Sequence, residues 1–550
     1  MRAYSFEPIY YSTIYVAEEM GIILQKTAYS PNIRDRRDLS CAIALSNGEL
    51  IAQAEHIPVH LGSMMIGLKN TLDFLEREGL ELEEGDIVMV NDPYIAGTHL
   101  NDILLVSPVF YKGEVICLIA NKAHHVDVGG KYPGSIFMAR SLFEEGVVIE
   151  PIKIVCRGEV KTKTIEEIAM RTRIPRYFKG DLYAQIASIN TGIKNILKIL
   201  SKEGISRTVE AWKEAIKYSQ RYLLNILKDI PNVTTEGEDY VELNDELLNI
   251  SVSINVRSNE IIVDFRGTHR QVDNSLNAVY GVTVAATSFA LKAILDPDMP
   301  MNSGFYKLLK IIAPKGTIVN PIKPAPVSLG NLETSQRIVD VIFKAMHNVL
   351  PDRVPAASHG SMNNVMIGGE FNGRKWVFYE TIGGGMGARP NMDGVDGVHV
   401  NMTNTLNTPI EVIEREYPIL ILEYSLIQDS CGAGKYRGGL GIRRVYKLLR
   451  GRATVTIATE RVKLEPWGLS GGRAGLRANH YIIRRKGEKV QLHSKDTVDL
   501  NEGDILVINT PGGGGYGDPR TRNIELLIDD LENGKISNTY VSKNFNIKEF

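Results

Sequence analysis

Two hydrophobic periods alternate along the chain. Residues 8–28 carry the helical one: Ile14, Ala17, Gly21 and Leu24 fall roughly on one face, and Glu18, Glu19 and Lys26 fall elsewhere. The segment DLSCAIALSNGELIAQAE then switches to period two. Cys41, Ile43 and Leu45 alternate, Asn47-Gly48 supplies a two-residue hairpin turn, and Leu50 begins the return strand. Residues 61–78 are predicted helical. GDIVMVND (85–92) reads as a strand ending in a polar loop. ILLVSPVF and VICLIANKA form a second hairpin across Tyr111-Lys112-Gly113-Glu114.

Residues 165–230 are strongly helical, with an apolar stripe of Val209, Trp212, Ile216, Leu223, Ile226, Leu227 and Ile230 at three- and four-residue steps. Such a stripe is core packing before it is a binding groove. Pro231-Asn232 ends it. Strands are predicted in 238–267 and helices at 273–294 and 334–349, flanking the proline-rich segment NPIKPAPVSLGN (320–331). From about 360 the pattern is strands separated by glycine loops: GGGMG (383–387), GGLG (438–441), GGRAG (471–475) and PGGGGYG (511–517). The class is α+β and multidomain. The expected segments are a mixed region 1–160, a helical segment 161–235, an α+β region 236–359, a β- and glycine-rich domain 360–520, and a C-terminal helix and tail 521–550.

Composition narrows the function more than the fold. A net charge of −2 removes the electrostatic footprint of a dedicated nucleic-acid binder. The four cysteines, Cys41, Cys117, Cys156 and Cys431, form no C-x-x-C pair, so iron–sulfur, zinc-ribbon and thioredoxin chemistry lack their ligands. Glu7, Glu18 and Glu19 interrupt the N-terminal stretch and no run of about 18 apolar residues occurs, which argues against a signal peptide or membrane span. A reducing, cytoplasmic setting is expected.

The glycines invite a nucleotide-binding reading that the spacings refuse. GAGKY (432–436) lacks the first P-loop glycine and places Tyr436 where a magnesium-holding hydroxyl is needed. Gly468-Leu469-Ser470-Gly471-Gly472 fits the nucleophile-elbow spacing but has no strand before it or helix after it, so a glycine turn is the better reading. The histidines are more informative. NDPYIAGTHLND (91–102) places His99 and Asp102 three apart just after a strand, and NKAHHVDVGGKYPGS (121–135) places His124, His125 and Asp127 at the end of a hairpin. Two strand ends thus deliver imidazole and carboxylate into glycine-rich loops, a donor set that suits manganese, iron or zinc. Hydrogen bonding to loop backbone is the competing reading. His56 and His60 are four apart, but Pro58 between them argues against a ligand-bearing helix interior, so they are expected to be structural or to support the ligands from behind. Asp35, Arg36, Arg37 and Asp38 read first as a solvated loop and second as a salt-bridged wall; Arg171, Arg173 and Arg176 carry the same ambiguity.

The sequence resembles the hydantoinase B/oxoprolinase family, whose members include partner subunits of ATP-dependent hydantoinases and relatives of the acetone carboxylase large subunit. The resemblance rests on SPNIRDRRDLSCAI (30–43), HIPVHLGSM (56–64), NDPYIAGTHLND (91–102), AHHVDVGGKYPGS (123–135), RYFKGDLYAQIA (176–187), VDFRGT (263–268), YETIGGGMGAR (379–389), TNTLNTPIEVIE (403–414), DSCGAGKYRGGLG (429–441) and TPGGGGYGDP (510–519). It implies a separately encoded hydantoinase A-type subunit that binds ATP and phosphorylates a substrate oxygen, leaving this chain to complete the reaction. In 5-oxoprolinases the two parts are fused, and 550 residues accommodate only the B part. The resemblance also implies a divalent transition metal, manganese by preference and zinc or iron otherwise, held by His99, Asp102 and His124. His125 and Asp127 are then expected to orient the ligands or to take the proton of an attacking water.

Three functions follow as expectations. The first is ring opening of a cyclic amide activated by phosphorylation. The second is a carboxylase subunit joining carboxyphosphate to a ketone enolate. The third is a non-catalytic scaffold for the ATP-binding subunit.

Overall fold

The computed structural model describes residues 5–54 and 56–545. The last five residues of the expected tail, 546–550, and the first four of the N-terminal stretch lie outside them. The chain forms two compact units: residues 1–131, 139–234 and 252–331 make the first, and 132–138, 235–251 and 332–550 the second.

The first unit is built on a seven-stranded antiparallel sheet. Its strands are β1 (Leu39–Leu45), β2 (Leu50–Gln53), β3 (Ile87–Val90), β4 (Asp102–Tyr111), β5 (Glu114–His124), β6 (Ile152–Cys156) and β7 (Glu159–Val160), in the order β2-β1-β5-β4-β3-β6-β7. Period two sorts their side chains between two cores. Cys41, Ile43, Ile103, Leu105, Cys117 and Ile119 pack with Met20 of the helix Glu7–Thr27 and with Leu182, Ile189 and Trp212 of the helices Pro175–Glu203 and Ile205–Lys228. Ala42, Ala44, Leu104, Val106, Leu118 and Ala120 pack with Met64 and Leu68 of the helix Pro58–Arg77. Both faces are covered, so β1 and β3 are buried along their whole length. The Trp212 stripe is core: the ring is fully buried and its Nε1–H donates to Thr13 Oγ1 at 2.8 Å.

The helix expected over 273–294 begins only at Tyr280 and runs to Leu295. Asn277 explains the delay. Its amide donates to the carbonyls of Val272, Asn274 and Pro326, and its Oδ1 accepts from Val272 N, fixing an irregular loop that competes with helix. Likewise the helix Ser335–His347 is preceded by a π-helical turn, Gly330–Thr334.

The second unit holds two sheets. One orders the strands Arg374–Thr381, Asn364–Phe371, Arg452–Ala458 and Lys495–Asn501; the other orders Ile419–Leu426, Ile442–Leu448, Ile505–Asn509, Asn479–Ile483 and Lys489–Gln491. The glycine loops are the joints between them. A Cβ on Gly438 would lie 1.9 Å from Gly513 O, one on Gly512 1.8 Å from Ser430 O, and one on Gly385 2.1 Å from Gly439 O. Backbone meets backbone with no room for a side chain. The loops therefore pack against one another.

Beneath these joints lies a buried ionic network. Arg461 Nη2 donates to Asp340 Oδ2 at 2.8 Å and to Asp239 Oδ2 at 3.2 Å, Arg337 Nη1 donates to Asp340 Oδ2 at 2.5 Å, and Lys495 pairs with Glu460. Glu333 lies beside it. Its Oε1 accepts from Asn364 Nδ2 and Met362 N, while burial and the neighbouring Glu460 push its carboxyl up to about 8. An acid whose folded value exceeds its unfolded one withholds stability as pH rises between the two. Glu333→Gln, which retains the acceptor, should therefore stabilise the protein by up to about 3 kcal/mol near pH ~7 and by little near pH ~4. Thermal unfolding at the two pH values checks this; an equal gain at both would contradict it.

Candidate metal centre

The centre forms where three strand ends meet a short turn. Asp102 opens β4 and His124 closes β5, and antiparallel register sets the two opposite each other. β1 runs along the other side of β5, so the N–H of His124 donates to Asp38 O at 3.1 Å. Asp92 caps the turn Pro93–Ala96 by accepting from Tyr94 N, and Gly97 ends it in the left-handed region at φ 82°. The chain then reverses and delivers His99, whose carbonyl accepts from the N–H of Asp102 at 3.1 Å.

Three donor atoms converge. His99 Nε2 lies 3.1 Å from Asp102 Oδ1 and 3.2 Å from His124 Nδ1, and His124 Nδ1 lies 3.3 Å from Asp102 Oδ1. The triangle is nearly equilateral. Bonds of about 2.1 Å separated by about 90–110° put neighbouring donors roughly 3.0–3.4 Å apart, so these three edges match one face of a divalent-metal site. Protons alone serve the arrangement poorly, because hydrogen bonds along all three edges would require three separate protons directed into one small triangle. Among the described residues this trio is the group of His, Cys, Asp and Glu whose ligand atoms converge in this way. All three side chains are buried.

The surroundings fix the ligands. His60 Nε2 lies 3.3 Å from Asp102 Oδ2, the oxygen facing away from the triangle, and His60 Nδ1 lies 3.2 Å from Ser40 Oγ. Pro58 is at the start of its helix rather than inside it, so His60 projects from the first turn. Asp38 Oδ2 is 3.8 Å from His124 Nδ1, and Asn32 Nδ2 donates to His124 O at 2.7 Å. Lys122, two residues before His124, is fully buried and donates to Ser63 Oγ and Ala96 O. Burial alone would raise Asp102, but His99 and His60 hold its carboxyl well below the ordinary range. Burial opposes charge on His99, yet Asp102 outweighs it and raises that imidazole; burial lowers His124. Burial brings the Lys122 ammonium down to about 8 against the pull of Asp102.

His99, Asp102 and His124 are thus brought together, and His125 and Asp127 are seated in other contacts. His125 turns toward the helix Pro175–Glu203, packing its ring 5.0 Å from that of Phe178 at a tilt of 50° and placing Nε2 3.0 Å from Gln185 Oε1. Gln185 Nε2 donates to Ile103 O and Asn121 Oδ1, which orients its amide. His125 therefore carries its proton on Nε2. Asp127 is committed to Arg173: Oδ2 accepts from Nη1 at 2.6 Å, and Oδ1 accepts from the N–H groups of Arg173 and Gly129. His56 sits apart, 3.7 Å from Glu18, and burial lowers it to about 4. The Asp35–Asp38 cluster is not a solvated loop, because Arg36 and Asp38 are buried. Ser470 sits at φ 51° in an exposed glycine turn. Sequence pattern does not single out Lys122, Asn32 or Gln185; a buried lysine within a strand is the available signal.

Comparison with known proteins supplies the family. The family model described as Hydantoinase B/oxoprolinase matches residues 6–519. An uncharacterized protein of Methanocaldococcus jannaschii is 59% identical, covering 100% of this chain and 96% of that one. The 5-oxoprolinase 1 of Arabidopsis thaliana is 36% identical over 91% of this chain, which spans only 41% of that longer protein. A relative from a Pseudomonas species, named as the B component of a D-/L-hydantoinase, is 33% identical, covering 95% of this chain and 91% of the relative. Among solved structures, an ATP-dependent caprolactamase of Pseudomonas jessenii superposes with a TM-score of 0.90 at 26% identity, covering 98% of this chain and 96% of that one. An acetone carboxylase shares the fold, with a TM-score of 0.91 at 18% identity, covering 99% of this chain and 79% of that one. The chain belongs to the hydantoinase B/oxoprolinase family.

Proposed function

We propose that this chain is the ring-opening part of an ATP-dependent cyclic amidohydrolase, acting on a substrate phosphorylated by a hydantoinase A-type partner. The observation that carries this reading is the triangle of His99 Nε2, Asp102 Oδ1 and His124 Nδ1. The relatives named as an oxoprolinase, a hydantoinase component and a caprolactamase act, by those names, on cyclic amides. All four cysteines are free, which fits a cytoplasmic enzyme; no helix among the described residues is long and apolar enough to cross a membrane.

Amide resonance makes the ring carbonyl a poor electrophile, and phosphorylation of its oxygen removes that protection. A divalent transition metal on the trio, manganese by preference, supplies Lewis acidity where negative charge develops. The residues do the rest. His60 holds the outer oxygen of Asp102, so the inner one stays directed at the triangle. The Lys122 ammonium ties the carbonyl of Ala96, and with it the turn that carries His99. The proton-accepting role expected of His125 or Asp127 is proposed for His125. Burial favours its neutral imidazole, and with Nε2–H given to Gln185 its buried Nδ1 has no hydrogen-bond partner among the described residues. Asp127 is a positioning residue for Arg173.

His60→Ala should weaken divalent-metal binding about 10–100-fold, the usual cost of losing an outer partner of a ligand, while His56→Ala should leave it unchanged. Metal titration of both variants checks this. The function itself is tested by purifying the chain with its A-type partner and screening ATP turnover against hydantoins, 5-oxoproline and ketones, with and without bicarbonate. Ring-opened product without bicarbonate supports the reading. Bicarbonate-dependent turnover of a ketone selects the carboxylase instead, and normal turnover with His99→Ala selects the scaffold.

A further inference from the structure

The helix Glu7–Thr27 is apolar on two opposite faces. One face, with Val16, Ala17 and Met20, is buried in the core of the first unit. The other looks outward. Tyr11, Tyr15 and Ile22 are 57%, 73% and 48% exposed, and at about 100° per residue they share an arc of roughly 80° with Glu19 and Lys26. A helix anchored by one face is ordinarily polar on the other, so burial within this chain does not account for the outward tyrosines and isoleucine. Just past the helix end, Tyr29 is exposed as well and extends the stripe. Its ring lies on the helix Pro175–Glu203, where a Cβ on Gly180 would come 2.2 Å from its Cγ, so its position is fixed.

Taken outward from Ile22, the stripe is symmetric in kind. Tyr15, Glu19, Ile22, Lys26 and Tyr29 follow at steps of four, three, four and three residues, the spacing with which helices pack along a seam. Reversing its direction exchanges aromatic for aromatic and acid for base, and leaves isoleucine in place. A second copy laid antiparallel, with Ile22 on the two-fold axis, therefore sets Tyr15 opposite Tyr29 and Glu19 opposite Lys26 to within one residue, each pair occurring twice. Both charges are available. Lys26 has no carboxylate partner among the described residues, and Glu19 Oε2 accepts from Asn195 Nδ2 at 2.6 Å, which steadies the carboxylate and leaves Oε1 open. Moving the axis to Glu19 or to Lys26 would set like charges together, so charge selects one register.

We propose that this face joins two copies of the chain about a two-fold axis at Ile22. The contact is isologous, the same patch serving both copies. Its apolar part is mostly tyrosine, a side chain that gives large contact area at interfaces and keeps a polar tip for water when the copies part. The stripe is roughly 20 Å long at about 1.5 Å per residue, short of an interface of about 1,600 Å², so the dimer should form in the micromolar range. The proposal stands apart from the catalytic reading and holds whichever reaction the metal centre serves.

The test is sedimentation velocity of the full-length chain between about 1 and 100 µM, the range expected of a small interface. Glu19, Ile22 and Lys26 are exposed, so substitutions there spare the core, which circular dichroism checks. The unaltered chain should pass from monomer to dimer across this range. Ile22→Glu, which brings two carboxylates together on the axis, should leave it monomeric. Lys26→Glu should weaken the dimer at least about tenfold, because each Glu19 then faces a carboxylate. Glu19→Lys/Lys26→Glu exchanges the charges and should restore the dimer, a result that a loss of folding or an unrelated contact would not give. A monomer throughout the range, a dimer unaffected by Ile22→Glu or Lys26→Glu, or an exchanged variant as monomeric as Lys26→Glu would each overturn the proposal. So would a monomeric chain whose helix Glu7–Thr27 gains protection from hydrogen exchange only when an A-type partner is added, since the face would then belong to that partner.

Discussion

Asp102→Asn should empty the metal centre while leaving the fold intact. Asparagine keeps the shape of the side chain, and β4 and β5 keep their register, because Asp102 enters the ladder through its backbone. The negative charge is what disappears. In the structure that charge is the one anionic corner of the triangle, it touches His99, His124 and His60 at 3.1–3.3 Å, and burial denies water any chance to replace it. A first coordination partner should cost more than the roughly 100-fold ceiling seen for outer partners, and ring-opening activity should fall about 1,000-fold or more in consequence. Elemental analysis of protein purified without chelator should give about one equivalent of divalent metal for the unaltered chain and almost none for Asp102→Asn. Full metal content in the variant would remove Asp102 from the ligand set. His99→Ala should behave alike, and the pair together separate loss of charge from loss of a nitrogen donor.

Gly438→Ala should be among the most damaging methyl groups that can be added to the second unit. The new Cβ would lie 1.9 Å from Gly513 O and 2.4 Å from Gly513 C. Backbone cannot swing aside as a side chain can. Nor can the Gly513 loop retreat, since Gly512 stands 1.8 Å, by the same measure, from Ser430 O and Gly514 stands 2.1 Å from Trp467 O. The clash passes from loop to loop through hydrogen bonds such as Gly513 N to Gly439 O and Gly432 N to Gly513 O. A cost above about 4 kcal/mol is expected, at the top of the range for point substitutions. Gly487→Ala is the control. It has a left-handed φ of 89° but nothing within 4 Å of the added carbon, so only backbone strain of about 1 kcal/mol is at stake. Denaturant unfolding of both variants measures the difference. Similar midpoints would mean that the glycine joints are loose.

These two predictions also mark what is readable in the sequence. The donor triangle is legible because its ligands are local: His99 and Asp102 are three apart, and a hairpin brings His124 to the same end. His60 is legible as a pair with His56 but is discounted for Pro58, which begins the helix instead of breaking it. Asp38 and Lys122 are harder, because Asp38 depends on β1 lying beside β5 and Lys122 on the helix Pro58–Arg77 and the turn Pro93–Ala96 packing over β5, neighbours that no local pattern announces. Cys41, Ile43 and Leu45 reveal period two, but only the second helical layer explains why the intervening Ala42 and Ala44 are also buried. The start of the helix at Tyr280 is hidden because Asn277 works through side-chain bonds to Pro326, about fifty residues on. The two-unit division is hidden as well. The chain leaves and re-enters each unit at several points, and a crossing such as 131/132 leaves no mark in composition. The glycines are visible as glycines, but their purpose is not, since a glycine kept for a turn and one kept for a backbone contact look the same in sequence.

The central claim is that ring opening, and not activation, happens at His99, Asp102 and His124. The direct measurement compares two products in one reaction: ADP and the ring-opened acid, formed from ATP and a turned-over cyclic amide by the complex of this chain with its A-type partner. The unaltered complex should give the two in step. With Asp102→Asn, ring-opened acid should vanish while ADP formation by the partner survives at least in a first turnover. Undiminished ring opening in that variant would contradict the account.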